Sequence, residues 1–338
     1  MEERKTGTRL ILGGARPDRC VRTWLVPLGL VTVLAAAGCM PDFEPASELG
    51  DRPQMLAIRA EPPEVTPGGS AALDAVLHEP GGPLHLAWIA CYADPRGWSQ
   101  TCVADALAAG AELVPCDGVS QAPICVASME ATAVVPVPAW VTPAIPDAAG
   151  VPVESVVHVT LVASEEPDPL VACGEALERT KPTAGCLLGS KRLMVSERPL
   201  GERNRNPVVG SLEVDGASVE AGGVVAVEAG GGDPGELRVS LALALDPVSV
   251  DEAVDDSGNP DEAFLELRWY ADCGGFSKDS ARIRCDPLPG ALPGDPPGCE
   301  VEGTVWRPRQ SGACVVHAVV SDGRGGVGRW SQAFLVGQ

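Results

Sequence analysis

Cysteine is the residue type in this sequence with the most potential for chemistry, with twelve copies among 338 residues. Cys20 and Cys39 lie near the N-terminus. The other ten form a group of six and then a group of four: Cys91, Cys102, Cys116, Cys125, Cys173 and Cys186, then Cys273, Cys285, Cys299 and Cys314. Even numbers of cysteines in an exported chain favour disulfide bonds. Nearest neighbours could close the local loops 91–102, 116–125, 173–186, 273–285 and 299–314, although other connectivities remain open.

A zinc site is the alternative use of these cysteines. No pair has C-x-x-C spacing, and the chain has only four histidines, so the sequence predicts no metal ligand. The histidines are His78, His85, His158 and His317. We expect His158 and His317 to be side chains on the surface of a β-sheet, because both lie within runs of β-branched residues.

Signatures of catalysis or cofactor binding are absent from the sequence. It contains no G-x-S-x-G elbow, no H-E-x-x-H helix, no P-loop and no G-x-G-x-x-G turn. The acidic segment 255–262 could offer carboxylates to Ca²⁺ but lacks the spacing of a known calcium loop, so an acidic turn between strands is the preferred interpretation. The sequence therefore predicts neither an enzyme nor a cofactor.

The charge of the chain excludes one class of partner. The net charge is −21. Residues 1–38 carry six basic and three acidic residues, so removing them leaves 19 basic and 43 acidic side chains, a net charge of −24. Such a surface repels phosphate backbones, and nucleic acid is therefore not expected as a partner.

The N-terminal segment indicates export and lipid attachment. Three arginines, at 16, 19 and 22, precede an apolar run over 24–38, which is too short and too interrupted by Pro and Gly for a membrane span but fits a signal-peptide core. The run ends in Leu-Ala-Ala-Ala-Gly-Cys39, which resembles the bacterial lipobox. That resemblance implies cleavage after Gly38, a lipid on Cys39 and acylation of the new N-terminus.

A flexible tether is expected after the anchor. Residues 39–53 are polar, acidic and contain proline, so they would hold the first domain away from the membrane. The expected location is the cell envelope, with the protein bound to the inner or outer membrane through the lipid on Cys39 and its domains in the periplasm or at the cell surface.

An internal repeat divides the rest of the chain. Three patterns recur in the same order: V-x-x-G-G-x-x-A-φ at 65–73 and 219–227, L-x-L-x-W at 84–88 and 265–269, and V-V-H at 156–158 and 315–317. Alternate residues of a strand share one face, so Leu84, Leu86 and Trp88 should point into one core and their counterparts Leu265, Leu267 and Trp269 into another. The predicted copies are 54–198 and 207–338, joined by a polar linker, 199–206.

These motifs resemble the immunoglobulin-like sandwiches of bacterial surface lipoproteins, the PKD and cadherin-like group. The turn Pro63–Gly69, the Trp88 and Trp269 strands and the hairpin Val320–Gly326 carry the resemblance. It implies an all-β fold of two tandem Ig-like β-sandwiches with disulfide-stapled loops, following a lipoprotein signal peptide. Neither second strand carries the cysteine of antibody domains, so a disulfide between the second and sixth strands is not expected.

Three hypotheses for function follow from these features. The leading hypothesis is a non-catalytic envelope lipoprotein that binds a protein or glycan ligand, or mediates adhesion, through the loops over 91–125 and 173–186. The alternative is a spacer subunit of an envelope assembly. An enzyme with an unrecognised site is the third hypothesis.

Overall fold

Alternating apolar residues form the strands, and the turns fall at Gly, Pro and Asp. The computed structural model describes residues 47–92, 102–118, 121–141, 155–178, 185–228, 237–246, 264–286 and 298–337, which belong to one compact unit, Glu44–Gln338. The signal segment 1–38, the lipidation site Cys39 and the acidic segment 255–262 lie outside these residues. Among the residues described, no helix is long and apolar enough to cross a membrane.

The described residues of the first half of the chain form nine strands and three short helices. The strands are β1 Gln54–Glu61, β2 Glu64–Val65, β3 Ser70–His78, β4 His85–Cys91, β5 Val114–Pro115, β6 Ile124–Ser128, β7 Thr132–Pro136, β8 Ser155–Ser164 and β9 Cys186–Val195. The helices are α1 Cys102–Ala108, α2 Pro169–Ala172 and α3 Gly174–Leu177. Two sheets result, with strand orders β1-β3-β7 and β2-β9-β8-β4-β6-β5.

The second half begins with a 3₁₀ helix, Leu200–Glu202, and its described residues form eleven strands. They are β10 Val209–Val214, β11 Ala217–Val219, β12 Val224–Val227, β13 Val239–Leu245, β14 Phe264–Ala271, β15 Gly274–Phe276, β16 Ser280–Asp286, β17 Gly298–Glu300, β18 Thr304–Pro308, β19 Gly312–Ser321 and β20 Val327–Val336. The sheet orders are β11-β10-β13-β18-β15 and β12-β20-β19-β14-β16-β17.

The two halves share one topology. In each, the larger sheet has a short strand parallel to the last long strand. The last long strand pairs on its other side with the V-V-H strand, and the V-V-H strand pairs with the L-x-L-x-W strand. The smaller sheet faces it. The fold is therefore two tandem Ig-like β-sandwiches, as the sequence predicts.

The first recurring pattern is not structurally equivalent in the two sandwiches. Gly68 and Gly222 both have positive φ, 77° and 86°, as a tight turn requires. The turn at Gly68 joins β2 to β3, whereas the turn at Gly222 joins β11 to β12. The parallel edge strand therefore precedes the glycine pair in the first sandwich and follows it in the second. Duplication is supported by strand order and by the other two patterns.

Each sandwich has its own core. Trp88 and Trp269 are 0% and 1% exposed, and the leucines two residues before each tryptophan are buried with them. The predicted inward faces of the V-V-H strands are confirmed, with Val157, Val159 and Leu161 in one core and Val316, Ala318 and Val320 in the other. The second core also contains Trp306, whose ring centroid lies 4.8 Å from that of Phe334.

The disulfides agree with nearest-neighbour pairing in the first sandwich but not in the second. Cys91–Cys102, Cys116–Cys125 and Cys173–Cys186 are bonded as the local loops suggested. Cys273 bonds Cys314, 41 residues away, so the expected pairs 273–285 and 299–314 are wrong. The reason is that Cys273 follows β14 and Cys314 lies in the adjacent strand β19, where the sheet brings them together. Cys299 is also disulfide-bonded, and its backbone opposes Cys285 across β16 and β17.

The last part of the predicted tether is bound rather than flexible. Ser47–Gly50, called the strap here, lies beside the end of β14. Leu49 N–H donates to the Ala271 carbonyl at 2.8 Å, and Ala271 N–H donates to the Ser47 carbonyl at 3.0 Å. Leu49 is only 4% exposed. The expectation of a free tether is therefore wrong for these residues.

Candidate functional site

The closing hairpin of the second sandwich docks on the first sandwich. Its turn, the Gly-rich segment after β19, is held by Asp322, whose carboxylate accepts from the backbone N–H of Arg324 and of Gly326, both at 2.8 Å. Burial raises the pKa of Asp322. The ammonium group of Lys191 in β9 donates to the Gly325 carbonyl. The motif that identified the fold therefore also makes an interdomain contact.

Lys191 is an unusual residue at this contact because it is only 6% exposed. Burial lowers its pKa to about 8, while the Asp322 carboxylate opposes that shift and Arg59 adds to it. A buried ammonium ion is costly unless it is hydrogen-bonded. Its carbonyl partner and the nearby carboxylate supply that compensation, so the two sandwiches are joined through buried polar groups.

The linker between the sandwiches is also buried in part. Asn206 donates from Nδ2 to the Ala60 carbonyl at 2.7 Å and accepts the Val327 N–H at 2.8 Å on Oδ1, so its one side chain joins both sandwiches. Asn204 N–H donates to the carboxylate of Glu64 at 2.7 Å, and Glu64 is 1% exposed. A polar linker was expected at 199–206, and its two asparagines are buried and hydrogen-bonded to the sandwiches rather than solvated.

A third interdomain contact lies along the outer edge. Arg329 in β20 binds the Asp74 carboxylate in β3 at 2.9 Å. His78 Nε2 is 2.8 Å from the Gly50 carbonyl of the strap. Burial is the main cause that lowers the pKa of His317, and the electrostatic effect of His78 lowers it further. Taken together, these contacts fix the relative orientation of the two sandwiches.

A groove of about 480 Å³ opens at this junction. Its walls come from the β1–β2 connection of the first sandwich, from the linker and from the end of β13. The lining residues are Arg59, Glu61, Pro62, Pro63, Glu64, Leu200, Arg203, Asn204, Arg205, Asn206, Val208 and Asp246. Leu200 and Val208 are 76% and 49% exposed, which places apolar surface in an otherwise charged groove.

The groove contains charges of both signs. Arg59 pairs with Glu61 at 2.6 Å, and Arg203 donates from Nε to the Arg198 carbonyl at 2.8 Å. Its three arginines and three carboxylates balance, in a chain whose net charge is −21. The groove is thus less acidic than the rest of the surface. Sequence reasoning missed it, although the cluster of arginines and asparagines in the linker was a visible signal.

The stapled insertions of the first sandwich form a cap rather than free loops. The Cys91–Cys102 bond holds α1, and the Cys173–Cys186 bond holds the α2–α3 segment. Both pack on the outer face of the larger sheet. Together they bury a small separate core made of Ala87, Ile89, Cys91, Cys102, Val103, Ala106, Ile124, Val162, Cys173 and Leu177. The loops over 91–125 and 173–186, predicted as recognition loops, thus also cover the sheet.

The predicted surface histidines differ in burial. His158 is 3% exposed, so its expected place on an open sheet surface is wrong, because additional structure covers the outer face in the first sandwich. His317 is partly buried and lies 2.8 Å from Ser331 Oγ.

One group of possible metal ligands occurs among the residues described: Asp272, Cys273 and Cys314. Both sulfurs belong to a disulfide and offer no thiolate. Asp272 accepts the Val315 N–H at 2.8 Å. The chemistry of this group does not fit a metal site.

Comparison with known proteins finds solved structures of low similarity. No family model and no curated protein matches the chain. Among solved structures, fibronectin(III)-like modules of CbhA from Clostridium thermocellum match with 9% identity and a TM-score of 0.21, over 85% of this chain and 95% of that one. A red sea bream transglutaminase matches with 10% identity and a TM-score of 0.23, over 85% of this chain and 31% of that one.

The tandem Ig repeats of Dlar match with 11% identity and a TM-score of 0.23, over 84% of this chain and 97% of theirs. With scores this low, the fold assignment rests on strand order and register within this chain. The disulfides indicate an oxidising compartment outside the cytoplasm.

Proposed function

We propose that this protein is a lipid-anchored envelope protein that binds another protein through the groove at its interdomain junction. The lipid anchor is the diacylglyceryl group expected on Cys39. The observation that supports the binding role most directly is a groove of about 480 Å³ whose walls come from both sandwiches and from a linker fixed by buried hydrogen bonds. Such a groove needs little reorganisation on binding, which favours affinity.

The composition of the groove favours a protein ligand over a glycan. Its lining combines exposed Leu200 and Val208 with Pro62, Pro63 and charges of both signs, a mixture typical of protein interfaces with an apolar centre and a polar rim. The described lining contains no aromatic ring on which a sugar could stack. A segment with an apolar side chain flanked by charged residues matches this surface.

The spacer role remains the second candidate. It is supported by the same interdomain contacts, since a rigid pair of sandwiches holds two ends of an assembly at a fixed separation. The two functions differ at the groove, because a binding protein holds a ligand there and a spacer does not.

Photo-crosslinking from the full-length protein in its own envelope tests the groove. A crosslinking amino acid replaces Leu200 inside the groove, and Leu188 in β9, 45% exposed and outside the groove lining, serves as the matched control. We expect a discrete protein adduct from position 200 only, and its loss when Arg203 and Arg205 are both changed to Ala. Equal adducts from the two positions, or none from position 200, would contradict the binding role.

A further inference from the structure

Strand β12, Val224–Val227, lies at an edge of the larger sheet of the second sandwich. It runs parallel to β20, and the pairing extends from Val224 with Ala333 to Val227 with Val336. In the described part of the chain, no strand pairs with the other side of β12. An unpaired edge of this kind is where a sheet accepts a further strand.

Two residues of β12 direct their backbone hydrogen-bonding groups to the open side. The Val227 carbonyl accepts the Gly337 N–H at 2.8 Å, so the backbone groups of Val227 face β20. These groups alternate between the two sides of a strand, so Val225 also faces β20, whereas Val224 and Ala226 face away from it. Each of the latter two offers one N–H and one carbonyl to a new strand, and the described residues supply no partner for them.

Both ends of β12 are fixed to the sandwich. At its start, Gln332 is 1% exposed and donates from Nε2 to the Gly223 carbonyl at 2.5 Å. Gly222, with a φ of 86°, forms the turn that leads from β11 into β12. At its end, the hydrogen bond from Gly337 holds Val227. A strand held in this way needs little reorganisation when it binds a ligand, which favours affinity.

The side chains beside this open side are apolar. Val224 and Ala226 share one face of β12, and the register places them next to Ala333 and Leu335 of β20. Val224 is 68% exposed and Leu335 is 51% exposed. Natural edge strands are usually protected by a charge, a proline or a bulge, and the sequence Val-Val-Ala-Val of β12 contains neither a charge nor a proline. These four residues and the open side of β12 are called the β12 edge here.

In the first sandwich the equivalent position is covered. Val65 ends β2 as Val227 ends β12, and each carbonyl accepts an N–H from the residue that follows the paired long strand, at 2.9 and 2.8 Å. Glu64 therefore corresponds to Ala226. Glu64 is 1% exposed and accepts the Asn204 N–H of the linker. The same position is thus a contact between domains in the first copy and an open, apolar edge in the second.

The charges around the β12 edge favour one kind of occupant. Glu220 and Glu228 are exposed on either side of β12, and no basic residue lies between them in the sequence. Antiparallel pairing of two copies would bring the Glu228 carboxylate of each towards Glu220 of the other, in chains with a net charge of −21. Like charges on neighbouring strands destabilise their pairing. A strand with basic residues at its ends is attracted instead.

We infer that the β12 edge binds an extended segment of a partner protein, which pairs with β12 as an added strand. The segment lays apolar side chains against Val224 and Leu335 and carries Lys or Arg at its ends. Strand addition takes its affinity from main-chain hydrogen bonds and its specificity from alternate side chains. The residues that line the junction groove belong to neither β12 nor β20, so this is a second site. It depends neither on the groove nor on the lipid anchor.

A designed peptide tests the β12 edge. The fluorescently labelled probe Lys-Lys-Thr-Val-Thr-Val-Thr-Lys-Lys is titrated with the full-length protein at physiological ionic strength, and its anisotropy is measured. We expect saturable binding. The same peptide N-methylated at its three central residues keeps its charges and side chains but cannot donate there, so it should bind about tenfold more weakly. Absence of saturable binding, or equal binding of the methylated peptide, would overturn the inference.

Two proline variants locate the binding. Val224→Pro removes an N–H that faces the open side and leaves the pairing with β20 intact, so it should weaken binding of the probe about tenfold. Val134→Pro, at a valine 60% exposed on the edge strand β7, is the matched control and should bind as wild type does. The Arg203→Ala/Arg205→Ala variant of the groove should also bind as wild type does.

Equal binding of the probe by Val224→Pro and wild type would contradict the assignment to β12, as would an equal loss in both proline variants. Sedimentation velocity distinguishes the other occupant. We expect no dimer that depends on Val224. A dimer of the full-length protein that Val224→Pro dissociates would show that a second copy occupies the β12 edge, and would overturn the inference.

Discussion

Polar residues at the junction have roles that depend on where the fold buries them. Lys191 and Asn206 look like ordinary solvated side chains in the sequence, yet they are 6% and 5% exposed. Each replaces the water it loses with a hydrogen-bond partner from the second sandwich, the Gly325 carbonyl for Lys191 and the Val327 N–H for Asn206. Removing one partner leaves the other buried without its hydrogen bond, which costs about 1–3 kcal/mol.

The buried ammonium of Lys191 predicts an increase in stability at alkaline pH. Its pKa is about 8 in the folded protein against 10.5 for the ordinary side chain. The folded state therefore binds fewer protons than the unfolded state between these values, and the free energy of unfolding should rise with pH in that window. The rise should reach at most about 3 kcal/mol. Urea unfolding of wild type and Lys191→Met across the window measures it.

Lys191→Met should lose this rise because methionine does not titrate. Lys278→Met is the matched control, since Lys278 is exposed and lies away from the junction, and this variant should keep the wild-type pH dependence. An identical rise in Lys191→Met and wild type would show that another group causes it.

At the scale of elements, strand adjacency rather than sequence distance selects the disulfide partner. Cys273 follows β14, which pairs with β19, and Cys314 lies near the start of β19. In the first sandwich, insertions bring neighbouring cysteines together instead. The same topology thus carries different disulfides in its two copies because, among the residues that the structure describes, the capping helices α1 to α3 occur in the first copy alone.

Peptide mapping of the non-reduced protein should therefore recover a peptide pair joined by Cys273–Cys314. Replacing both cysteines with Ala should cost about 4 kcal/mol of unfolding free energy, because the bond closes a loop of 41 residues. The Cys116/Cys125 double variant, with a separation of 9, should cost about 3 kcal/mol. Recovery of Cys273 linked to Cys285 would contradict the observed pairing.

At the scale of the whole molecule, the two sandwiches have separate cores but a shared polar junction. The cores contain no residue in common, so neither sandwich depends on the other for its apolar interior. The junction is built from the ion pair of Arg329 with Asp74 and from Glu64, Lys191, Asn206 and Asp322 with their backbone partners. Coupling between the sandwiches should therefore be sensitive to single polar substitutions.

Asn206→Ala should uncouple the sandwiches. It leaves the Val327 N–H and the Ala60 carbonyl without their partner, at a cost of about 2–4 kcal/mol. Calorimetry should show the unfolding of this variant resolving into two transitions, whereas Gln310→Ala, which removes an exposed amide in the turn between β18 and β19, should unfold as wild type does. A wild-type profile for Asn206→Ala would mean that the remaining contacts suffice for coupling.

The sequence by itself determined the strands, their inward faces and the tandem arrangement. Period-two alternation around Trp269 has one apolar solution, because a shift by one residue would expose Leu265, Leu267 and Trp269 together. The all-β class and the absence of recognisable catalytic motifs also needed no coordinates. Lipid attachment at Cys39 and the domain boundaries at 198 and 207 remain predictions from sequence.

Only the tertiary structure decided the Cys273–Cys314 bond, the docked strap, the capped sheet and the groove. Each depends on which segments meet, and polar residues such as Asn206 and Lys191 carry no periodic signal that distinguishes a buried contact from a solvated one. Apolar residues have a single favourable environment, so their pattern reveals their position in advance. A polar side chain is satisfied either by water or by a protein partner, and only the packed fold shows which of the two it has.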